Sequence, residues 1–142
     1  LLRVIGSIAR GIPPRPRVEL TPYTENLSEC YRTAAVVVCP IEVGTGVKIK
    51  LLEALRFGKA IVATPAAVEG LLPPTRAAWI LTDSLVECGK AVQVLIESPL
   101  QRTIMSEGAF AYGEQYLSQT RFLSDLKKIL PSTIKRIFRR LA

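Results

Sequence analysis

A chain of 142 residues with 49% apolar residues can bury one sizeable core, and its composition excludes disorder and collagen-like repeats. The formal charge is +7, and the complete lack of histidine excludes His-based triads, a His general base and every His-containing metal site. Any acid or base must therefore be a carboxylate, Lys, Tyr or Cys.

In chain order, Leu2-Arg3-Val4-Ile5-Gly6 predicts a short strand, and residues 9–17, with three prolines and a glycine, predict a loop. Val18-Glu19-Leu20 gives a brief strand closed by Thr21-Pro22. Helical spacing follows through Leu27, Cys30, Tyr31 and Ala34, with Asn26 as N-cap and Glu29 at N3. The apolar run Ala35-Val36-Val37-Val38-Cys39 predicts a buried strand. After it, Gly44-Thr45-Gly46 predicts a glycine loop and residues 46–57 a helix that stops at Gly58. Residues 60–64 and 77–81 predict further strands, the first ended by Pro65. Asp83 or Ser84 caps a helix to about residue 98 with Gly89 as its weak point. From Pro99 the chain predicts helix only, weakened at Gly108 and Gly113 and kinked or broken at Pro131.

Short strands alternating with helices define an α/β chain with a parallel sheet. The organisation expected is a Rossmann-like region over 1–98 and a helical segment over 99–142. Ligands of such sheets sit beyond the carboxyl ends of the strands. Cys30, Cys39 and Cys88 are odd in number and widely spaced, so they read as buried thiols and not as a disulfide or zinc framework. No apolar run approaches the roughly 20 residues of a membrane span, and residues 1–8 lack a signal-peptide core. A cytoplasmic location is expected. The only methionine is Met105, so Leu1 is not an initiator position and the chain is expected to derive from something longer.

The chemistry concentrates in the glycine loop. The first turn of a helix presents amide groups and the positive end of its dipole, which together hold an anion. On a continuous helix Gly46, Lys50, Glu53 and Phe57 share a face, with Glu53 about 10 Å along the axis from Gly46. Main-chain amides can then take a diphosphate and Glu53 both hydroxyls of a ribose. The alternative is that Lys50 and Glu53 form a solvated pair and the glycines only make the turn. Lys48 either adds charge beside the phosphates or lies in solvent. Glu42 either reaches the same space or is a structural loop carboxylate.

Residues 2–6, 18–23, 30–34, the glycine loop and its helix, and Gly58-Lys59-Ala60-Ile61-Val62-Ala63-Thr64 with Glu69-Gly70 together resemble the nucleotide-sugar-binding half of group 1 GT-B glycosyltransferases. The resemblance implies a nucleoside-diphosphate sugar as donor substrate, no other cofactor, and retention at the transferred sugar. It implies donor contacts from the backbone at Gly46 and Val47 to the diphosphate and from Glu53 to the ribose. Pro22 and Tyr23 would meet the base, and Lys50 lies on the donor face of the helix. Thr45 stands where the family commonly has a glutamate that meets the donor sugar, so it offers one hydrogen bond in place of a carboxylate. The family's first, central strand and phosphate-clamping basic residues are expected upstream of Leu1. Its acceptor domain and catalytic base belong there too, so no catalytic residue is assigned and the isolated chain is expected to be inactive. No Asp-x-Asp pair occurs, and Asp83 and Asp125 stand alone, so no metal requirement is expected.

The acceptor expected is a sugar or a lipid-linked sugar. Ile134, Ile137, Phe138 and Leu141 can oppose Lys135, Arg136, Arg139 and Arg140 on one helix, so residues 132–142 fit either a peripheral membrane contact or a helix packed on the domain. The run lacks interleaved aromatics, and no nucleic-acid partner is expected. The competing functions are a non-catalytic nucleotide-binding module and a membrane-docking module.

Overall fold

Alternating short apolar strands and helices build two parallel sheets in the computed structural model, which describes residues 1–129. The chain forms two compact units, Leu1–Thr33 and the chain from Ala34 onward. Both sheets are wholly parallel and flanked by helices, the Rossmann-like α/β arrangement expected from the sequence.

In the first unit β1 (Leu2–Ile5) pairs with β2 (Val18–Thr21), with Arg3 beside Glu19 across the ladder. The Arg3 guanidinium donates from Nε to Glu19 at 3.0 Å and from Nη1 to the Thr33 hydroxyl at 3.5 Å. It thereby links the sheet to α1 (Leu27–Thr33). Asn26 precedes α1, and its side-chain oxygen accepts from the Glu29 amide at 3.2 Å, as the sequence predicts. The predicted loop over 9–17 begins later than expected, because Ser7–Gly11 closes a 3-10 helix. All three prolines of this stretch, Pro13, Pro14 and Pro16, fall beyond it, so its amides remain able to donate.

The second unit runs β3 (Val36–Cys39), α2 (Ile49–Arg56), β4 (Ala60–Ala63), α3 (Pro65–Val68), β5 (Ile80–Leu81), α4 (Leu85–Glu97), α5 (Pro99–Tyr116) and α6 (Gln119–Ile129). The strand order is β3-β4-β5, with Val36 opposite Ala60 and Val62 opposite Ile80. Every residue of the central β4 is buried. That burial on both faces is why Ala60-Ile61-Val62-Ala63 is uniformly apolar instead of alternating. Ala60 and Val62 pack with Cys88 and Leu95 of α4 and Met105 of α5. Ile61 and Ala63 point to the opposite face of the sheet. Leu51, Ala54 and Leu55 are the buried residues of α2, which packs against β3 and α5.

Four expectations change in this unit. The helix predicted from Gly46 begins at Ile49, because Gly46 adopts φ 74° and cannot belong to a right-handed helix. Pro65 does not merely end a strand but starts the single turn of α3, where its missing amide costs nothing. Helix α5 runs unbroken through Gly108 and Gly113, and at Gly108 the glycine is required by a close approach. A Cβ on Gly108 would lie 1.9 Å from the Ala77 carbonyl oxygen, and one on Gly113 would lie 3.4 Å from that of Leu55. The backbone itself approaches the helix at Gly108, and the approach of the 72–79 segment is completed by Tyr112. That tyrosine donates to the Leu72 carbonyl at 3.1 Å and meets Trp79 edge-on with ring centroids 5.2 Å apart. The predicted strand over 77–81 shrinks to Ile80–Leu81 because the Ala77 carbonyl lies against α5. Pro131 and residues 132–142, expected to form either a peripheral membrane contact or a helix packed on the domain, lie outside the described residues.

Candidate functional site

The glycine loop leaves the carboxyl end of β3 and is pinned at its base. Thr64, 7% exposed at the end of β4, donates its hydroxyl to the Ile41 carbonyl, while its amide donates to the Cys39 carbonyl at 3.3 Å. The Ile41 amide also reaches the Cys39 carbonyl, at 3.0 Å. Beyond this base the chain turns through Gly44 at φ 142° and Gly46 at φ 74°. Both angles are open to glycine and unfavourable for residues with a Cβ.

Lys48 closes the loop. Its Nζ donates to the carbonyls of Gly44 at 3.0 Å and Gly46 at 2.6 Å, so the half-buried side chain is bonded back to its own loop. Its own carbonyl accepts from Leu51 at 2.9 Å and Leu52 at 3.2 Å, which makes Lys48 the N-cap of α2. No side-chain oxygen caps this helix start.

Thr45 and Gly46 are exposed, and Val47 is 48% exposed. Lys50 is exposed on the first turn of α2, and Glu53 is half-buried one turn later on the same side. Lys50 and Glu53 therefore keep the predicted common face, whereas Gly46 lies before the helix, and the axial spacing expected for one continuous helix does not apply. Glu42 is an exposed loop residue. Pro22 and Tyr23 belong to the first unit, where Tyr23 is 75% exposed.

Behind the loop a cavity of about 310 Å³ is lined by Val47, Leu52, Gly70, Leu72, Tyr112 and Tyr116 among others. Gly70, at φ 83°, would place a Cβ 3.3 Å from Val47 Cγ2. Sequence reasoning missed Thr64 and the tether of Lys48. A threonine ending an apolar strand carries no pattern that announces a bond to a loop 23 residues earlier, and a lysine beside two glycines has no fixed role.

Electrostatics separate reactive from inert groups. Burial pushes the Cys39 thiol up to about 11, so it stays protonated and is no nucleophile at neutral pH. Burial also pulls the Lys59 ammonium below its ordinary value while its Nζ donates to the Ala34 carbonyl at 3.2 Å. Among the described residues no group of three His, Cys, Asp or Glu side chains is placed to hold a metal ion. No described helix is long and apolar enough to cross a membrane.

A parallel α/β sheet with a glycine loop opening a helix at its carboxyl edge defines a Rossmann-like domain of the GT-B type. The model of the family described as glycosyl transferases group 1 matches residues 4–98, more than half of the chain, and the chain belongs to that family. The match ends where α5 begins. No curated protein matches the chain at a significant level. Membership assigns a role in glycosyl transfer.

Proposed function

We propose that this chain binds a nucleoside-diphosphate sugar and presents it for transfer of the sugar to an acceptor sugar or lipid-linked sugar. The observation that carries the reading is the uncapped start of α2, reached through a loop with two positive-φ glycines and followed by Glu53 one turn into the helix. Amides around Gly46 and Val47 meet the diphosphate, where the helix dipole favours negative charge. They would stabilise the same group as charge builds on it during departure from the sugar. Glu53 accepts from the ribose hydroxyls, Lys50 adds positive charge on the same face, and Thr45 offers one hydrogen bond to the sugar. The reading assigns retention and no metal requirement, and it assigns no catalytic residue to this chain.

Calorimetric titration of the full-length protein with UDP, GDP, ADP and TDP tests it. One of these is expected to bind, with EDTA leaving the affinity unchanged. Glu53→Ala removes charged hydrogen bonds worth about 1.5–3 kcal/mol each, so affinity should fall by at least about tenfold. An unchanged affinity for the nucleoside diphosphate would sink the ribose role of Glu53. Turnover with retained anomeric configuration, read by proton NMR of the product, is the matching expectation for the reaction.

A further inference from the structure

In a trans peptide unit the carbonyl and the amide N–H point to opposite sides of the chain. The two carbonyls held by Lys48 Nζ, those of Gly44 and Gly46, share their peptide units with the amides of Thr45 and Val47. No described peptide bond is cis. One ammonium therefore gathers both carbonyls on its own side and turns both amides to the other. The glycine φ angles of 142° and 74° permit this alternation. Two amides turned to one side of a loop can share an anion, and a cation on the carbonyl end of a peptide strengthens its N–H as a donor.

We propose that Lys48 is a positioning residue for the diphosphate: it holds the carbonyl side of the loop, so that the amides of Thr45 and Val47 face the ligand while its ammonium does not touch it. This inference rests on the donor reading given above. It separates the work of the two lysines. Lys48 shapes the backbone, and its effect is insensitive to ionic strength. Lys50, exposed on α2, acts through space and is screened by salt.

The test uses the full-length protein with the same nucleoside diphosphates, inorganic pyrophosphate and the phosphate-free nucleosides. Lys48→Met is expected to weaken binding of the preferred nucleoside diphosphate and of pyrophosphate by a similar factor, tenfold or more. It should leave nucleoside binding unchanged, and the factor should be equal at 50 and 500 mM NaCl. Lys48→Arg, which keeps a cation able to donate to both carbonyls, should restore most of the affinity. Without ligand, Lys48→Met should shift the Thr45 and Val47 amide resonances and speed their hydrogen exchange, with the rest of the spectrum retained. Equal affinity of Lys48→Met and wild type overturns the role of Lys48 alone. So does a loss that shrinks at high salt, which marks a direct ion pair, or an unmoved pair of amide resonances. Failure of the wild type to bind any of the nucleoside diphosphates or pyrophosphate overturns the donor reading and, with it, the ligand assigned to these amides.

Discussion

A single added methyl group has opposite effects at two glycines of this chain. Gly108 sits in the interior of α5 with the Ala77 carbonyl where a Cβ would stand, so Gly108→Ala must push the 72–79 segment off the helix. A backbone clash of that kind should cost at least about 3 kcal/mol, the range of severe core disruption, in urea denaturation. Gly89 lies in α4 with no atom within 4 Å of the added Cβ, and Gly89→Ala should stabilise by up to about 1 kcal/mol through helix propensity alone. A Gly108→Ala protein as stable as wild type would show that the segment is not held at this contact. Cys39 makes a second residue-scale prediction. Its pKa is raised from 9.0 to about 11. The thiol's contribution to stability is therefore fully present below the ordinary value and is lost as pH rises through about 11. At pH 8 native iodoacetamide labelling, followed by mass spectrometry, should modify the half-exposed Cys30 well before the buried Cys39 and Cys88.

Helix ends show which elements were legible in the sequence. Ser84 accepts from the Glu87 amide at 3.2 Å and the Glu87 carboxylate accepts from the Asp83 amide at 3.1 Å, so this start was readable as a residue pattern. Ser84→Ala should cost about 1 kcal/mol, measured by thermal or urea unfolding. Asn26 was readable for the same reason. The start of α2 was not, because its limit is set by the φ of Gly46 and by a lysine reaching back to two carbonyls, neither of which has a compositional signature. The role of Gly108 was not legible, because propensity registers what a glycine lacks and not which backbone approaches it. In α6, Asp125 accepts from Lys128 at 2.9 Å and from Arg121 at 2.6 Å, and these bonds hold its carboxyl below its ordinary value. Their contribution is present above the ordinary aspartate pKa and disappears as pH falls through the lowered one. Loss of helical amide protection in α6 on acidification, absent in Asp125→Asn, checks this by NMR.

Across the whole molecule the alternation of strands and helices foretold the parallel α/β class, because each apolar run is short and is followed by a stretch of helical spacing. The distribution of strands between two separate ladders was not foretold, since pairing depends on which edges meet and not on the composition of a strand. The common face of Lys50 and Glu53 was legible in the sequence, whereas the bonds from Lys48 and Thr64 that hold the loop were not, because they run to backbone carbonyls. Charge is uneven: the last 13 positions carry four basic residues and no acidic one. If residues 132–142 meet anionic membranes, truncation after Ser132 should abolish co-sedimentation with phosphatidylserine vesicles; undiminished sedimentation would retire that role.

Ser98 terminates α4 and at the same time caps α5, where its hydroxyl accepts from the Gln101 amide at 3.3 Å. Arg102 reaches back from α5 to the last carbonyls of α4, at 2.6 Å to Leu95 and 2.7 Å to Ile96. With no slack between the helices, the rotational phase of α5 is fixed at one residue. One residue inserted between Ser98 and Gly108 would turn everything beyond it by about 100° and move a side chain into the place kept clear for Ala77. This junction should therefore accept substitutions yet reject changes in length, and descendants of this chain can gain or lose residues before Ala77 far more readily than between Ser98 and Gly108.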